Sequence, residues 1–173
     1  MIAPTRLWIA AAYHPAYRCG GWAAVRTGPG ETAGLAGGER YTTAMRTALM
    51  GLAAALGDLP AIRAGSPAQP IAIQTTSAEL AAFAPFLASL NAAADPATGP
   101  DEDLDLWARI ATAARDRSLK LVHTPLEPRT PIAFAAAWAD LARDKAKASG
   151  AFSAAIPRPN LSKIPGLPIG AAS

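Results

Sequence analysis

The sequence predicts an α/β domain built on a five-stranded mixed sheet, a three-stranded antiparallel meander plus parallel strands, with helices on both faces. Three observations predict it. The first forty residues hold three short apolar runs separated by turn signals. From Thr42 onward the apolar period becomes that of a helix. Strand-like and helix-like segments then alternate, which requires crossover connections and parallel pairing. The length of 173 residues suits one core. Alanine fills 44 positions, so the larger apolar side chains suffice for one core and not for two.

Residues 6–10 form the first apolar run. Residues 19–26 open with Gly20-Gly21 and continue apolar, and Gly28-Pro29-Gly30 turns the chain into a third strand at 31–37. Thr42 or Thr43 caps a helix in which Met45, Leu49, Leu52 and Leu56 share one face, ending near Gly57. A proline-bearing loop at 60–70 leads to a short buried strand at 71–75. Ser77 caps a helical stretch reaching about Asn91, interrupted at Pro85. After a loop at 94–100, Asp101 or Asp103 begins a helix buried through Leu106, Trp107, Ile110 and Ala114. Residues 118–122 alternate as a half-buried strand. Thr130-Pro131 supplies a cap and a first-turn proline to a last helix, with Phe134, Trp138, Leu141 and Ala142 as its apolar face. Residues 1–148 are thus expected to form the domain. Residues 149–173, with four prolines, are expected to form an extended tail.

Composition excludes several classes. No apolar run approaches the roughly 18 residues of a membrane span, and the apolar stretch at 7–12 is too short for a signal peptide. The single cysteine, Cys19, excludes a disulfide framework and is expected to be a buried thiol. With only His14 and His123 beside it, the chain lacks the ligands of a structural zinc site. A cytoplasmic protein without a cofactor or membrane contact is the expectation. Net charge is +3, unevenly spread: +3 over residues 1–57, −6 over 58–105 and +6 over 106–173. A basic last third suits an acidic partner, nucleic acid included, although solvated helix faces account for the same charge.

In element order and in several strings the chain resembles the ribonuclease H type 1 family. Gly20-Gly21-Trp22-Ala23-Ala24-Val25 is similar to its G-G-[YW]-[GA]-A-[IV] second strand. Thr42-Thr43-Ala44-Met45-Arg46-Thr47-Ala48-Leu49-Met50 is similar to its T-T-N-N-R-M-E-L-M helix. Gln74-Thr75-Thr76-Ser77 resembles its S-T-D-S strand end, Asp105-Leu106-Trp107 its D-L-W helix, and Trp138-Ala139-Asp140-Leu141-Ala142-Arg143 its C-D-E-L-A-R helix. The resemblance covers about residues 5–148 and implies a ribonuclease H-like fold.

It also implies a site at which four carboxylates hold two divalent cations for cleavage of RNA in an RNA–DNA hybrid. Those four positions fall on Ala10, Ala48, Thr76 and Ala139. Alanine has no donor atom, and one hydroxyl does not replace the charge that holds hard Mg²⁺. Asp140 lies about 100° around the helix from Ala139, and Glu79 a turn beyond Thr76. His123 lies beside, not on, the family's loop histidine. The family's basic handle would fall at residues 83–103, which hold no Lys or Arg and end Asp101-Glu102-Asp103, a run that repels phosphate. Removing four mutually repelling carboxylates favours the metal-free fold.

The resemblance therefore implies a pseudoenzyme acting as a binding or assembly module. The expected partner is another protein, met through the apolar tail residues Phe152, Ile156, Leu161, Ile164, Leu167 and Ile169. The alternative is non-cleaving binding of nucleic acid, such as an RNA–DNA hybrid, through Arg18, Arg26, Thr43, Arg46, Arg143 and Lys147, with helix capping as the other explanation of Thr43. A second alternative is hybrid cleavage with relocated metal ligands.

Overall fold

The computed structural model describes residues 4–28, 32–62, 64–65, 69–90 and 99–167. Pro29 and Gly30 of the expected turn, most of the 94–100 loop, and Ile169 lie outside the described residues. The elements are β1 (Thr5–His14), β2 (Cys19–Thr27), β3 (Ala33–Arg40), α1 (Ala44–Gly57), β4 (Gln69–Thr75), α2 (Ala78–Ala81), α3 (Ala84–Ser89), α4 (Leu104–Ala113), β5 (Arg117–His123), α5 (Pro131–Ser149), β6 (Phe152–Ala155) and α6 (Arg158–Leu161).

The sheet has six strands rather than five, in the order β5-β4-β1-β2-β3-β6. The meander β1-β2-β3 is antiparallel, whereas β4 and β5 run parallel to β1. Alternation along β1 sends Leu7 and Ile9 to one face and Trp8 and Ala10 to the other. The first face packs against α1 and α4 through Leu49, Leu52, Leu56, Leu106, Trp107 and Ile110. Thr43 caps α1, its hydroxyl accepting the Arg46 N–H at 3.0 Å. Pro85 divides the expected helix into α2 and α3 and sits in the first turn of the second.

On the second face the structure corrects the expected apolar side of α5. Leu141 is exposed, and Phe134 and Trp138 are only partly buried. The residues turned to the sheet are Ile132, Ala135, Ala139, Ala142 and Ala146. The cause is the strand beneath. A Cβ on Gly21 would stand 2.0 Å from the Arg143 nitrogen and 2.4 Å from the Ala139 carbonyl oxygen. One on Gly38 would meet the Ala146 Cβ at 2.9 Å. Backbone lies against backbone here, so alanine is the side chain that fits and leucine is excluded.

The tail residues are also corrected. β6 pairs antiparallel with β3, and the Ile156 N–H donates to the Gly34 carbonyl at 2.8 Å. Ile156, Leu161 and Ile164 are buried in the α5-side core, with Phe152 and Leu167 packed against it. These residues complete their own domain and are not offered to a partner. The alanines of α5 reach too short a distance to cover the β3 edge, and the returning chain supplies the missing volume.

Candidate functional site

The C-terminal ends of the parallel strands β1, β4 and β5 open on one side, the place where α/β sheets bind ligands. A cleft of about 460 Å³ lies there, lined by Ala11, Ala12 and Tyr13, by Thr76 after β4, by His123 to Leu126 after β5, and by Ala136, Asp140 and Arg143 of α5. Its walls are tied together by short polar contacts. The Thr76 N–H donates to the Ile9 carbonyl at 3.2 Å, and the Thr76 hydroxyl accepts the Ala11 N–H at 3.2 Å. The Thr124 hydroxyl donates to the Gln74 side-chain oxygen at 3.2 Å. The Tyr13 hydroxyl donates to the Thr42 carbonyl at 3.1 Å.

Of the four positions that the resemblance assigns to metal ligands, only Thr76 reaches this cleft. Ala10 and Ala48 are 0% exposed and Ala139 is 1% exposed, closed within the two cores. The cleft's own donors are the Asp140 carboxylate, the His123 imidazole and the committed Thr76 hydroxyl. Asp140 already accepts from Arg143 at 3.3 Å, and Arg143 also donates to Asp144 at 3.2 Å. A pair of hard divalent cations needs several carboxylates turned to one point. The residues present do not fit such a pair. Among the described residues no group of three or more His, Cys, Asp or Glu side chains is gathered closely enough to hold a metal ion.

The residues expected to contact nucleic acid do not form one surface. Arg46 is enclosed by carboxylates from three directions: Glu39 at 3.3 Å, Asp103 at 3.0 Å and Asp105 at 2.8 Å. The Asp105 and Asp103 hydrogen bonds raise the affinity of Arg46 for its proton further, and Arg46 in turn holds the Asp105 carboxyl down to about 2, against 3.8 ordinarily. Arg46 thereby ties β3, α1 and the start of α4 together and is unavailable to a phosphate. Arg26 pairs with Asp58 at 3.7 Å. Thr43 is spent on its cap. Arg18 and Lys147 remain, at the corner where the β1–β2 turn meets the last turn of α5; there the Lys147 ammonium lies 3.6 Å from the Tyr17 ring centroid. Cys19 is buried, as expected, and His123 is exposed on the rim of the cleft.

Sequence reasoning missed two exposed rings at that corner, Tyr17 and Tyr41. The alanine run 10–12 has no period to read, so β1 was expected to stop at Ala10 when it continues to His14. No signal in the sequence placed Tyr17 and Tyr41 side by side.

No protein-family profile and no curated protein sequence matches the chain. Solved structures do. The N-terminal RNase H domain of a Mycobacterium tuberculosis protein, fused to maltose-binding protein, is 18% identical, with a TM-score of 0.59 over 85% of this chain and 98% of that one. LC11-RNase H1 in complex with an RNA/DNA hybrid is 20% identical, with a TM-score of 0.59 over 82% and 98%. LC9-RNase H1, a type 1 RNase H with the type 2 active-site motif, is 13% identical, with a TM-score of 0.54 over 89% and 79%. With the strand order, the β1-β2-β3 meander and the α5 crossing in agreement with the expected topology, the fold of this chain is ribonuclease H-like.

Proposed function

We propose that the protein keeps the ribonuclease H-like fold without cation-dependent hydrolysis and works by binding. The burial of Ala10, Ala48 and Ala139 carries this reading. A carboxylate at any of the three would be enclosed in apolar packing rather than turned to solvent, at a cost of several kcal/mol. The floor of the cleft is therefore built for small apolar side chains, and its single carboxylate is neutralised by Arg143. One similar structure carries a different active-site motif on this fold, so relocated ligands are tested directly. Cleavage of an RNA–DNA hybrid is measured with Mg²⁺ or Mn²⁺, with and without chelator. The expected result is no chelator-sensitive product. Chelator-sensitive cleavage that disappears in Asp140→Asn overturns the reading.

A protein partner engaged through the tail loses its support, because Ile156, Leu161 and Ile164 are buried in the protein's own core. A duplex gripped by the expected basic set is weakened as well, because Arg26, Arg46 and Arg143 are held in internal ion pairs. Binding falls to a surface outside both.

A further inference from the structure

Tyr17 and Arg18 end the β1–β2 turn, and Arg40 and Tyr41 leave β3 beside them. Cys19 pairs with Arg40 across the ladder, and the Thr42 N–H donates to the Arg18 carbonyl at 3.0 Å. The last turn of α5 closes the corner. The Arg40 guanidinium donates to the Ala146 and Lys147 carbonyls at the helix C-terminus, and Lys147 lies over the Tyr17 ring. Three cations, Arg18, Arg40 and Lys147, therefore share one end of the sheet. No acid stands in sequence at 13–18, 40–43 or 145–149. The flanking acids, Glu39 and Asp144, are turned to Arg46 and Arg143.

Between these cations stand two uncovered rings, Tyr17 at 56% and Tyr41 at 83% exposure. Tyr41 adopts φ 56° and Arg18 φ 50°, the left-handed region that bulky side chains rarely occupy. A ring held in such a backbone, outside the core, has no packing reason to be there; outliers of this kind gather where a ligand is met.

We propose that this corner is a platform for single-stranded nucleic acid, on which bases stack against Tyr17 and Tyr41 while phosphates lie against Arg18 and Lys147. Rings alternating with cations are what an unpaired strand requires, because every base offers a π-face and every linkage a negative charge. In a duplex those faces are already covered. An acidic peptide would use the cations and leave Tyr41 without a contact. This deepens the binding reading and rests on it only in that the bound strand stays intact.

The test is fluorescence anisotropy with end-labelled oligothymidylate and oligouridylate, with chelator present, over a range of salt. Binding is expected at low salt and falls as salt rises. Tyr17→Ala and Tyr41→Ala each weaken it about tenfold, and Tyr41→Phe retains it. Tyr41→Gly is the decisive variant: it relieves the left-handed backbone and is expected to raise the melting temperature while weakening binding as Tyr41→Ala does. No binding at low salt overturns the platform. So does binding indifferent to both tyrosines, or polyglutamate of matched charge binding equally well. Strand scission on adding Mg²⁺ overturns the non-hydrolytic reading instead, so the two failures are told apart.

Discussion

On the α1/α4 side of the sheet, Leu7, Ile9, Ile71 and Ile73 meet Leu49, Leu52, Leu106 and Ile110, and volume fills the core. On the α5 side, Ala10, Ala23 and Ala36 meet Ala135, Ala139, Ala142 and Ala146, and proximity fills it. Both faces exclude water, by opposite means. Large side chains hold a helix away from the sheet and leave side-chain ends able to adjust. Alanine over glycine lets backbone touch backbone and leaves nothing to adjust. The second solution also covers less area, so the edge at β3 needs the returning C-terminal segment. The cleft opens above the rigid face, and that rigidity closes Ala10 and Ala139 against any acid.

The largest break in this comparison is removal of the returning segment. A chain ending at Gly150 lacks β6 and the buried Ile156, Leu161 and Ile164. At ~1.5–3 kcal/mol for each buried side chain, the loss is about 5 kcal/mol, comparable with the whole stability of many domains. It also bares the β3 edge to intermolecular pairing. Thermal and urea unfolding of the shortened chain should show a collapse of stability and a rise in aggregation. A shortened chain melting within a few degrees of the full one contradicts the assignment of the segment to the core.

That dependence shows how far the sequence could be read. The leucine face was legible because Met45, Leu49, Leu52 and Leu56 repeat with the period of a helix, and Leu106, Trp107, Ile110 and Ala114 are all buried where that pattern puts them. The alanine face was not legible, because alanine carries little hydrophobic contrast. The eye follows Phe134, Trp138 and Leu141 around α5 and selects the wrong side. Likewise, apolar residues among prolines at 152–167 look like an unattached tail until a β3 edge is known to need them. At the candidate site, the identity of the metal-ligand equivalents was readable by resemblance, and their burial was not. The pairing of Arg46 with Glu39, Asp103 and Asp105 joins residues up to 66 apart in sequence, beyond any local pattern.

A single methyl group sharpens the comparison. Gly21→Ala places a Cβ 2.0 Å from the backbone of α5, which no rotamer change relieves. The expected loss is about 3 kcal/mol or more. Gly51→Ala puts the same methyl on the other face, 3.0 Å from the Ile9 Cγ2 and 3.3 Å from the Trp22 Cβ. Those neighbours are side chains, and replacing a mid-helix glycine returns about 1 kcal/mol of helix propensity, so stability should stay within about 1 kcal/mol of the parent. Urea unfolding of the two variants measures the contrast directly. Equal losses would show that the faces do not differ in tolerance.

The smallest effect concerns the rim of the leucine face, where Arg46 binds three carboxylates. The Asp105 carboxyl is held down to about 2 by its hydrogen bonds from Arg46, whereas in the unfolded chain it titrates near 3.8. A group lowered on folding binds fewer protons in the folded state than in the unfolded one at intermediate pH. Its contribution is therefore complete above about pH 4 and is lost as pH falls toward 2. The carboxylate is largely exposed to solvent, so the loss is expected to be a shallow slope rather than a transition. Asp105→Asn should flatten that slope between pH 4 and 2 and leave stability at pH 7 slightly reduced. On the alanine side, Arg143 meets Asp140 and Asp144 on an exposed helix surface, and Asp144→Asn is expected to leave the acid limb unchanged. If both variants flatten it equally, the Arg46 cluster has no special hold on α4, and the leucine face is closed by its apolar packing alone.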